Sequence, residues 1–144
     1  MASQYIQMNV SFNAPVETVF NELSDHEKMG KILSAKVKRV KDGKDFVNGL
    51  GSVRRITPVP LGGFEETVTT FEPNKLIEYT VTKGSPIKNH LGRMVFSENN
   101  GKTQLHYTIQ FDMKLGLPFA GLILKTVLEK VILGGLHKLA KSYQ

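Results

Sequence analysis

Residues 52–68 read SVRRITPVPLGGFEETV and place two arginines before a Pro- and Gly-rich turn and two glutamates after it. A single antiparallel register across this turn sets Arg54 opposite Glu66. The same register sets Arg55 opposite Glu65. Because side chains alternate between the two faces of a strand, these two ion pairs lie on opposite sides of the sheet. The stretch therefore predicts a β-hairpin with one ion pair on each face.

The residues around each pair indicate which of the two is buried. Arg54 and Glu66 share their face with Ile56, Phe64 and Val68, so this pair is predicted to lie in the interior. The Arg55 pair shares its face with threonines and is predicted to be exposed. Charges in a low-dielectric interior are costly unless they are paired and hydrogen-bonded. The inner pair either fixes the strand register or contacts the polar end of a ligand, and the sequence leaves both readings open.

A second hairpin is predicted around Asn100-Gly101, a strong two-residue turn signal. In the register set by this turn, the numbers of two residues that face each other across the hairpin sum to 201. The inner face carries Leu105, Tyr107, Ile109 and Phe111 opposite Phe96, Met94, Gly92 and His90. The preceding strand places Tyr79 on the same face. The inner face thus collects five polar side chains, those of Arg54, Glu66, Tyr79, His90 and Tyr107. This number exceeds what a dry core usually tolerates, because each of them needs a hydrogen-bond partner or water. We therefore predict an internal cavity, and Gly92 with Gly121, Gly134 and Gly135 fits a sheet that curls around it.

The remaining elements follow from hydrophobic period and turn chemistry. Strict alternation over residues 4–12 predicts a half-buried strand, and Pro15 predicts a helix start. Ser24-Asp25 is typical of the cap of a second short helix, which would place His26 in its first turn. Strands separated by turns continue to Asp112, and a long helix follows residues 116–118. The predicted order is one strand, two helices, about six antiparallel strands and one long helix, an α+β fold.

Composition limits the function classes. With 144 residues, 40% of them hydrophobic, a single domain over residues 1–144 is expected. The net charge of +6 comes from scattered basic residues, which does not favour nucleic-acid binding. The absence of cysteine excludes a thiol nucleophile and a thiolate metal site. Residues 1–12 contain no leader pattern, so a cytoplasmic location is expected. Charged residues interrupt the apolar stretch 115–139, so no transmembrane segment is expected.

The order and spacing of several short motifs resemble the START-like (SRPBCC) superfamily, and within it the polyketide cyclase/dehydrase and lipid transport family. The motifs are Ala14-Pro15 with Val19-Phe20, Gly49-Leu50-Gly51-Ser52-Val53-Arg54, Glu66, Phe71-Glu72-Pro73, Leu76-Ile77-Glu78-Tyr79, Pro86-Ile87-Lys88-Asn89-His90 and Gly101-Lys102-Thr103. The resemblance implies a helix-grip fold, in which a curved seven-stranded antiparallel sheet wraps a long C-terminal helix and encloses an apolar cavity. It also implies that the family's polar positions correspond to Arg54, Glu66, Asn89 and His90.

We predict that the protein binds or transports a small, mostly hydrophobic molecule, such as a lipid or polyketide, between the sheet and the last helix. The candidate ligand-binding residues are Arg54, Phe64, Glu66, Tyr79, His90, Met94, Tyr107, Leu124, Val127 and Leu128. Residues 58–63 and 116–118 are candidate gates. The spacing of the four histidines predicts no metal site, and no cofactor is expected. Lysines of the last helix could allow transient contact with an anionic membrane surface. The sequence leaves the oligomeric state open.

The alternative is a cyclase or dehydratase that uses Glu66 and His90 as an acid and base pair on a polyketide-like substrate. A carboxylate that Arg54 neutralises is a poor base, so the sequence favours binding over catalysis.

Overall fold

The computed structural model describes residues 3–57, 63–114 and 119–144. The two candidate gates fall largely on residues 58–62 and 115–118, which lie outside the described residues. The elements in chain order are β1 (Gln4–Phe12), α1 (Val16–Ser24), α2 (Met29–Leu33), β2 (Lys36–Lys41), β3 (Val53–Thr57), β4 (Phe64–Glu72), β5 (Leu76–Lys83), β6 (Ile87–Asn99), β7 (Lys102–Met113) and α3 (Ala120–Lys141). The predicted order of elements is confirmed.

The seven strands form one antiparallel sheet in the order β1-β7-β6-β5-β4-β3-β2. Consecutive strands from β2 to β7 are antiparallel neighbours, while β1 pairs with β7, the last strand of the chain. The strict alternation in β1 buries Ile6, Met8, Val10 and Phe12 and leaves the residues between them facing outward. The predicted α+β class with a seven-stranded sheet is therefore confirmed.

Helix α3 packs against β1 and α2 and closes the inner face of the sheet. Its most buried side chains are Ile132 and Leu136, which belong to the same core as the inner residues of β1, β6 and β7. At Gly135, an added Cβ would lie 2.5 Å from the carbonyl oxygen of Ile32. This glycine was predicted to leave room for a cavity, but it instead lets α3 approach the backbone of α2. In the described part of the chain, no helix is long and apolar enough to cross a membrane.

The predicted β3–β4 register is found, and the predicted β6–β7 register holds from Leu91 to Asn99 but not at His90, which does not pair with Phe111. Arg54 lies opposite Glu66 and Arg55 opposite Glu65 across β3 and β4. In the β6–β7 hairpin, Met94 lies opposite Tyr107, again as predicted. Local turn chemistry and face alternation are sufficient to set these registers, because a slip by one residue would move every apolar side chain of the strand to the solvent face.

The β6–β7 register shifts between Lys88 and Leu91, which marks a β-bulge. Asn89 takes a φ of 52° there, a left-handed conformation that asparagine tolerates better than most residues. The bulge shifts the pairing of the residues before His90 by one position, so that Lys88 pairs with Asp112 of β7. His90 itself stays on the inner face and is buried. The strand thus bends at the point where its histidine enters the core.

Candidate functional site

An interior ion pair lies at the centre of the inner sheet face. Arg54 Nε donates a 2.9 Å hydrogen bond to Glu66 Oε1, and both side chains are more than nine-tenths buried. Burial is the strongest single effect and lowers the pKa of the Arg54 guanidinium, but the Glu66 carboxylate and the two buried tyrosines together outweigh it and raise that pKa. Arg54 is therefore charged at neutral pH inside the protein.

One nitrogen of Arg54 remains without a hydrogen-bond acceptor. Nη2 lies 2.7 Å from Glu66 Oε1 but is not aligned for a hydrogen bond, and it has no other acceptor among the described residues. On its flat face, the guanidinium carbon of Arg54 lies 4.7 Å from the ring centroid of Tyr79. This cation–π contact fixes the orientation of the guanidinium. A buried donor group is thus held in a defined direction, and it contacts Glu66 without an aligned hydrogen bond to any described residue.

His90 reaches the same pair from β6. Its Nδ1 accepts a 3.0 Å hydrogen bond from the backbone N–H of Val81, so the neutral ring carries its proton on Nε2. Nε2 lies 3.9 Å from Glu66 Oε2, which is too far for a hydrogen bond. Burial lowers the pKa of His90, and the positive charge of Arg54 adds to this effect although Glu66 opposes it. At neutral pH His90 is therefore an uncharged N–H donor.

The bulge in β6 explains why His90 can make this contact with the backbone. Regular pairing between β5 and β6 extends only from Leu76 opposite Val95 to Tyr79 opposite Gly92. Beyond that point, Nδ1 of the His90 ring accepts a hydrogen bond from the backbone N–H of Val81. Thr80 Oγ1 donates a 2.6 Å hydrogen bond to the His90 carbonyl oxygen. Side chains thus replace the missing backbone bonds and hold the ring in place.

Two tyrosines complete the polar group. The hydroxyls of Tyr79 and Tyr107 are hydrogen-bonded to each other, and both side chains are buried. Burial raises the pKa of Tyr107 to about 12 and raises the pKa of Tyr79 well above its ordinary value. Both phenols are therefore neutral over the physiological range. The five polar residues predicted for the inner face are thus brought together as one cluster, Arg54, Glu66, Tyr79, His90 and Tyr107.

Gly92 has a different role from the one predicted. An added Cβ at this position would overlap the ring of Tyr79, which lies directly over the glycine from the neighbouring strand. The space on this part of the inner face is therefore filled by an aromatic ring. A tyrosine on β5 can lie flat against β6 only because position 92 has no side chain.

The apolar candidates fall into three groups. Met94 is buried in the core beside the polar cluster. Leu124 and Leu128 are partly buried and pack against the core from α3, and Phe64 is half-buried at the start of β4. Val127 is 51% exposed and is not brought to the core. The α3 period placed Val127 on the same stripe as Leu124 and Leu128, but the helix turns its side chain outward.

His26 is a buried group that was not singled out by its sequence context. The sequence predicts His26 in the first turn of the second helix, but α2 begins at Met29 and His26 lies in the turn before it. In this turn, Asp25 Oδ1 accepts hydrogen bonds from the backbone N–H groups of Glu27 and Lys28. Its Nε2 lies 2.7 Å from Ser52 Oγ, which in turn donates to the carbonyl of Gly49. Burial lowers the pKa of His26 to about 3, helped by nearby arginines. No local pattern indicates this contact, because it joins residues from two loops.

Among the described residues, no three His, Asp or Glu side chains are grouped closely enough to hold a metal ion. Two hydrogen-bond donors of the cluster, Arg54 Nη2 and His90 Nε2, make no hydrogen bond to Glu66. They lie next to one carboxylate and two neutral phenols. Such an arrangement can bind an oxygen atom of a largely apolar molecule.

A curved antiparallel sheet that packs around a long C-terminal helix defines the helix-grip class of ligand-binding folds. The sequence profile of the polyketide cyclase/dehydrase and lipid transport family matches residues 4–144, so the chain belongs to that family. No curated protein sequence matches the chain at a significant level.

Solved structures share the fold at low sequence identity. The Zhui aromatase/cyclase from a Streptomyces species has a TM-score of 0.79 at 18% identity, covering 97% of this chain and 93% of the other. A START superfamily protein from Mycobacterium smegmatis has a TM-score of 0.77 at 16% identity, covering 97% and 99%. Norcoclaurine synthase from Thalictrum flavum has a TM-score of 0.71 at 11% identity, covering 98% and 88%. These similarities establish the START-like fold.

Proposed function

We propose that the protein binds a small, mostly hydrophobic molecule between the sheet and α3, with the polar cluster holding an oxygen atom at one end of the ligand. The observation that carries this proposal is Arg54 Nη2, a buried donor that contacts Glu66 Oε1 at 2.7 Å but makes no aligned hydrogen bond with any described residue. A buried donor without an acceptor costs about 1–3 kcal/mol. A bound oxygen would remove that cost.

The neighbouring groups support an oxygen acceptor as the ligand's polar end. His90 offers an N–H from Nε2, and its lowered pKa keeps that group neutral. The only carboxylate of the cluster, Glu66, already accepts from Arg54. A carbonyl, ester or carboxylate oxygen would therefore find donors, whereas a ligand amine would compete with Arg54 for Glu66. Met94, Leu124 and Leu128 would contact the apolar body.

The wider features of the proposal are a single ligand-binding domain over residues 1–144, a cytoplasmic location and, where the ligand is a lipid, transient contact with a membrane. The family description, which includes lipid transport, supports a hydrophobic ligand. The alternative within the same family is a cyclase or dehydratase. One observation favours it: His90 Nε2 and Glu66 Oε2 lie 3.9 Å apart, so a substrate oxygen placed beside both could exchange a proton with either group.

Native mass spectrometry of protein purified gently from its source tests the proposal directly. We expect a stoichiometric apolar companion that contains at least one oxygen, identified after solvent extraction. The identified compound is then rebound to Arg54→Met, with Arg55→Met as the matched control on the outer face. We expect Arg54→Met to weaken binding by about tenfold or more, which corresponds to one charge-assisted hydrogen bond, and Arg55→Met to bind normally.

Two outcomes decide the role of the polar cluster and the choice between binding and catalysis, and a second variant is used if the first does not fold. Equal binding by both arginine variants would overturn the role of the polar cluster. If Arg54→Met does not fold, Tyr79→Phe replaces it, because that change keeps the packing of the ring and alters one polar group. Conversion of the bound compound by the native protein, lost in both Glu66→Gln and His90→Ala while binding persists, would establish the enzymatic alternative instead.

A further inference from the structure

An open groove lies away from the polar cluster, at the end of the fold where α1, the β2–β3 loop and the β4–β5 turn meet. Its volume is about 580 Å³, a size typical of small-molecule sites. None of the ligand-binding residues predicted from the sequence lines it. The groove is therefore independent of the site proposed above.

The floor of the groove is aromatic. The rings of Phe20 and Phe71 pack edge to face with centroids 5.4 Å apart. Phe46, from the β2–β3 loop, leans against Phe71 at the same centroid distance and is 53% exposed. The loop thus presents an aromatic face to solvent beside the groove instead of burying it in the core. Exposed aromatic faces attract cations through the negative charge of the ring face.

The rim of the groove is acidic. Three carboxylates line it, Glu17 from α1, Asp25 at the end of α1, and Asp45 from the β2–β3 loop. No lysine or arginine of the described segments lines it, although the chain as a whole carries a net charge of +6. A negative rim on a positively charged protein gives charge complementarity for a cation. The remaining polar lining is uncharged and includes Asn21 and Asn74.

The walls are held in place without a ligand. Asn48 Oδ1 accepts hydrogen bonds from the backbone of His26 and from Arg39 Nη1, which ties the β2–β3 loop to the turn after α1. Within the loop, the N–H of Gly43 donates to the carbonyl of Val47, and that of Gly49 donates to the carbonyl of Phe46. A preformed wall lowers the entropic cost of binding.

We propose that this groove binds a small organic cation, an amine or quaternary ammonium group carried on an aromatic or short aliphatic body. The body packs on Phe46 and Phe71. The charged group lies between these rings and the carboxylates of Glu17 and Asp45. A neutral molecule of the same shape would gain the apolar contacts alone, and an anion would be repelled.

An NMR titration of the ¹⁵N-labelled full-length protein with three probes of matched size tests the proposal: benzylammonium, benzyl alcohol and benzoate. We expect saturable shifts of the amide signals of Phe46, Asn21 and Asn74 with benzylammonium, with a Kd of about millimolar as for a fragment. Benzyl alcohol should bind at least about fivefold more weakly, because it lacks the charge. Benzoate should produce no saturable shift at these residues.

Variants locate the site. Asp45→Asn should weaken benzylammonium binding by about twofold to fivefold, the size of one partly exposed ion pair, and Phe46→Ala should weaken it further. Glu72→Gln is the matched control, because it removes an exposed carboxylate next to Pro73 that does not line the groove. Tyr79→Phe, which alters the interior cluster, should leave this binding unchanged.

Several results would overturn the proposal. Equal affinity for benzyl alcohol and benzylammonium would show an apolar site without charge selection, and equal effects of Asp45→Asn and Glu72→Gln would show only general electrostatic attraction. Shifts confined to residues around Tyr79 would place the probe in the interior. Shifts that change on dilution of the protein alone would show that a second copy covers the groove, and absence of saturable shifts with any probe would remove the site.

Discussion

Gly92 lies directly opposite Tyr79 across β5 and β6, and the Tyr79 ring occupies the space that a side chain at position 92 would need. The Arg54 guanidinium lies over the same ring, and the Tyr79 hydroxyl is hydrogen-bonded to the hydroxyl of Tyr107. One glycine therefore supports the position of the whole polar cluster. Movement of this ring would disturb the ion pair and the phenol pair together.

Gly92→Ala should destabilise the protein by about 1–3 kcal/mol, the usual cost of overpacking a core. It should also weaken binding of any interior ligand, because the Tyr79 ring and the Arg54 guanidinium that contacts it must shift. Chemical denaturation of the two proteins measures the first effect. Gly134→Ala is the control: nothing lies within 4 Å of an added Cβ there, and alanine in an α-helix should stabilise by about 0.5–1 kcal/mol. Equal stabilities of Gly92→Ala and the native protein would contradict the observed packing.

Glu66→Gln should cost about 3–5 kcal/mol of unfolding free energy, because it leaves the Arg54 charge buried without a counter-charge. The double change Arg54→Met with Glu66→Leu should lose much less, since no buried charge then remains. Glu65→Gln on the outer face removes an ion pair with a 3.4 Å separation whose arginine is nearly half exposed, and it should change stability by less than about 1 kcal/mol. If Glu66→Gln and Glu65→Gln had the same effect on urea denaturation, the inner pair would not be buried as described.

The stability of the protein should fall on acidification below about pH 6.5. His26 has a pKa of about 3 in the folded protein against 6.5 in the unfolded chain, and His90 is shifted in the same direction. Between these values the unfolded state binds protons that the folded state does not, so the unfolding free energy decreases by up to about 1.4 kcal/mol per pH unit for each histidine. Urea denaturation at several pH values measures the slope.

His26→Asn should be less stable than the native protein at neutral pH, because it disturbs the contact with Ser52. Its stability should nevertheless depend less steeply on pH between about 4 and 6, by about one proton. His137→Asn, which removes an exposed histidine from α3, measures the effect of losing a histidine outside the core. An unchanged slope in His26→Asn would show that His26 is protonated in the folded protein.

Alkaline titration should separate the tyrosines. Burial raises the pKa of Tyr107 to about 12 and that of Tyr79 well above its ordinary value of 10.0, so both phenols should ionise late or only as the protein unfolds. The folded state keeps protons that the unfolded state loses, and stability therefore falls as the pH rises above about 10. Absorbance at the phenolate band follows the ionisation of the four tyrosines.

In that titration, Tyr143→Phe serves as the background, because burial also raises the pKa of Tyr143. In this background, Tyr79→Phe with Tyr107→Phe should lose the late phase, while Tyr5→Phe, which removes a half-exposed tyrosine, should retain it. A late phase that persists after Tyr79, Tyr107 and Tyr143 are all changed would contradict the buried phenol pair.

The amino-acid sequence by itself determined the order of the elements, the strand faces and the registers of the two hairpins as far as the bulge before His90. Period-two alternation fixed which residues of β1, β6 and β7 face inward, and the mirrored charges around residues 58–63 fixed the pairing of Arg54 with Glu66. These signals are local, because they depend on neighbours along one strand or across one turn. The composition of the polar cluster follows from these signals alone.

The tertiary structure alone decided how the side chains on the inner face of the sheet pack and which loops come together. Face alternation placed Gly92 and Tyr79 on the inner side but could not show that the ring fills the space over the glycine. It gave no sign of the contact between His26 and Ser52 or of the groove beside Phe46, since both join loops that are distant along the chain. Helical period alone also did not exclude Val127 from the core. Such features depend on how loops and helices pack in three dimensions, and a one-dimensional periodicity does not carry that information.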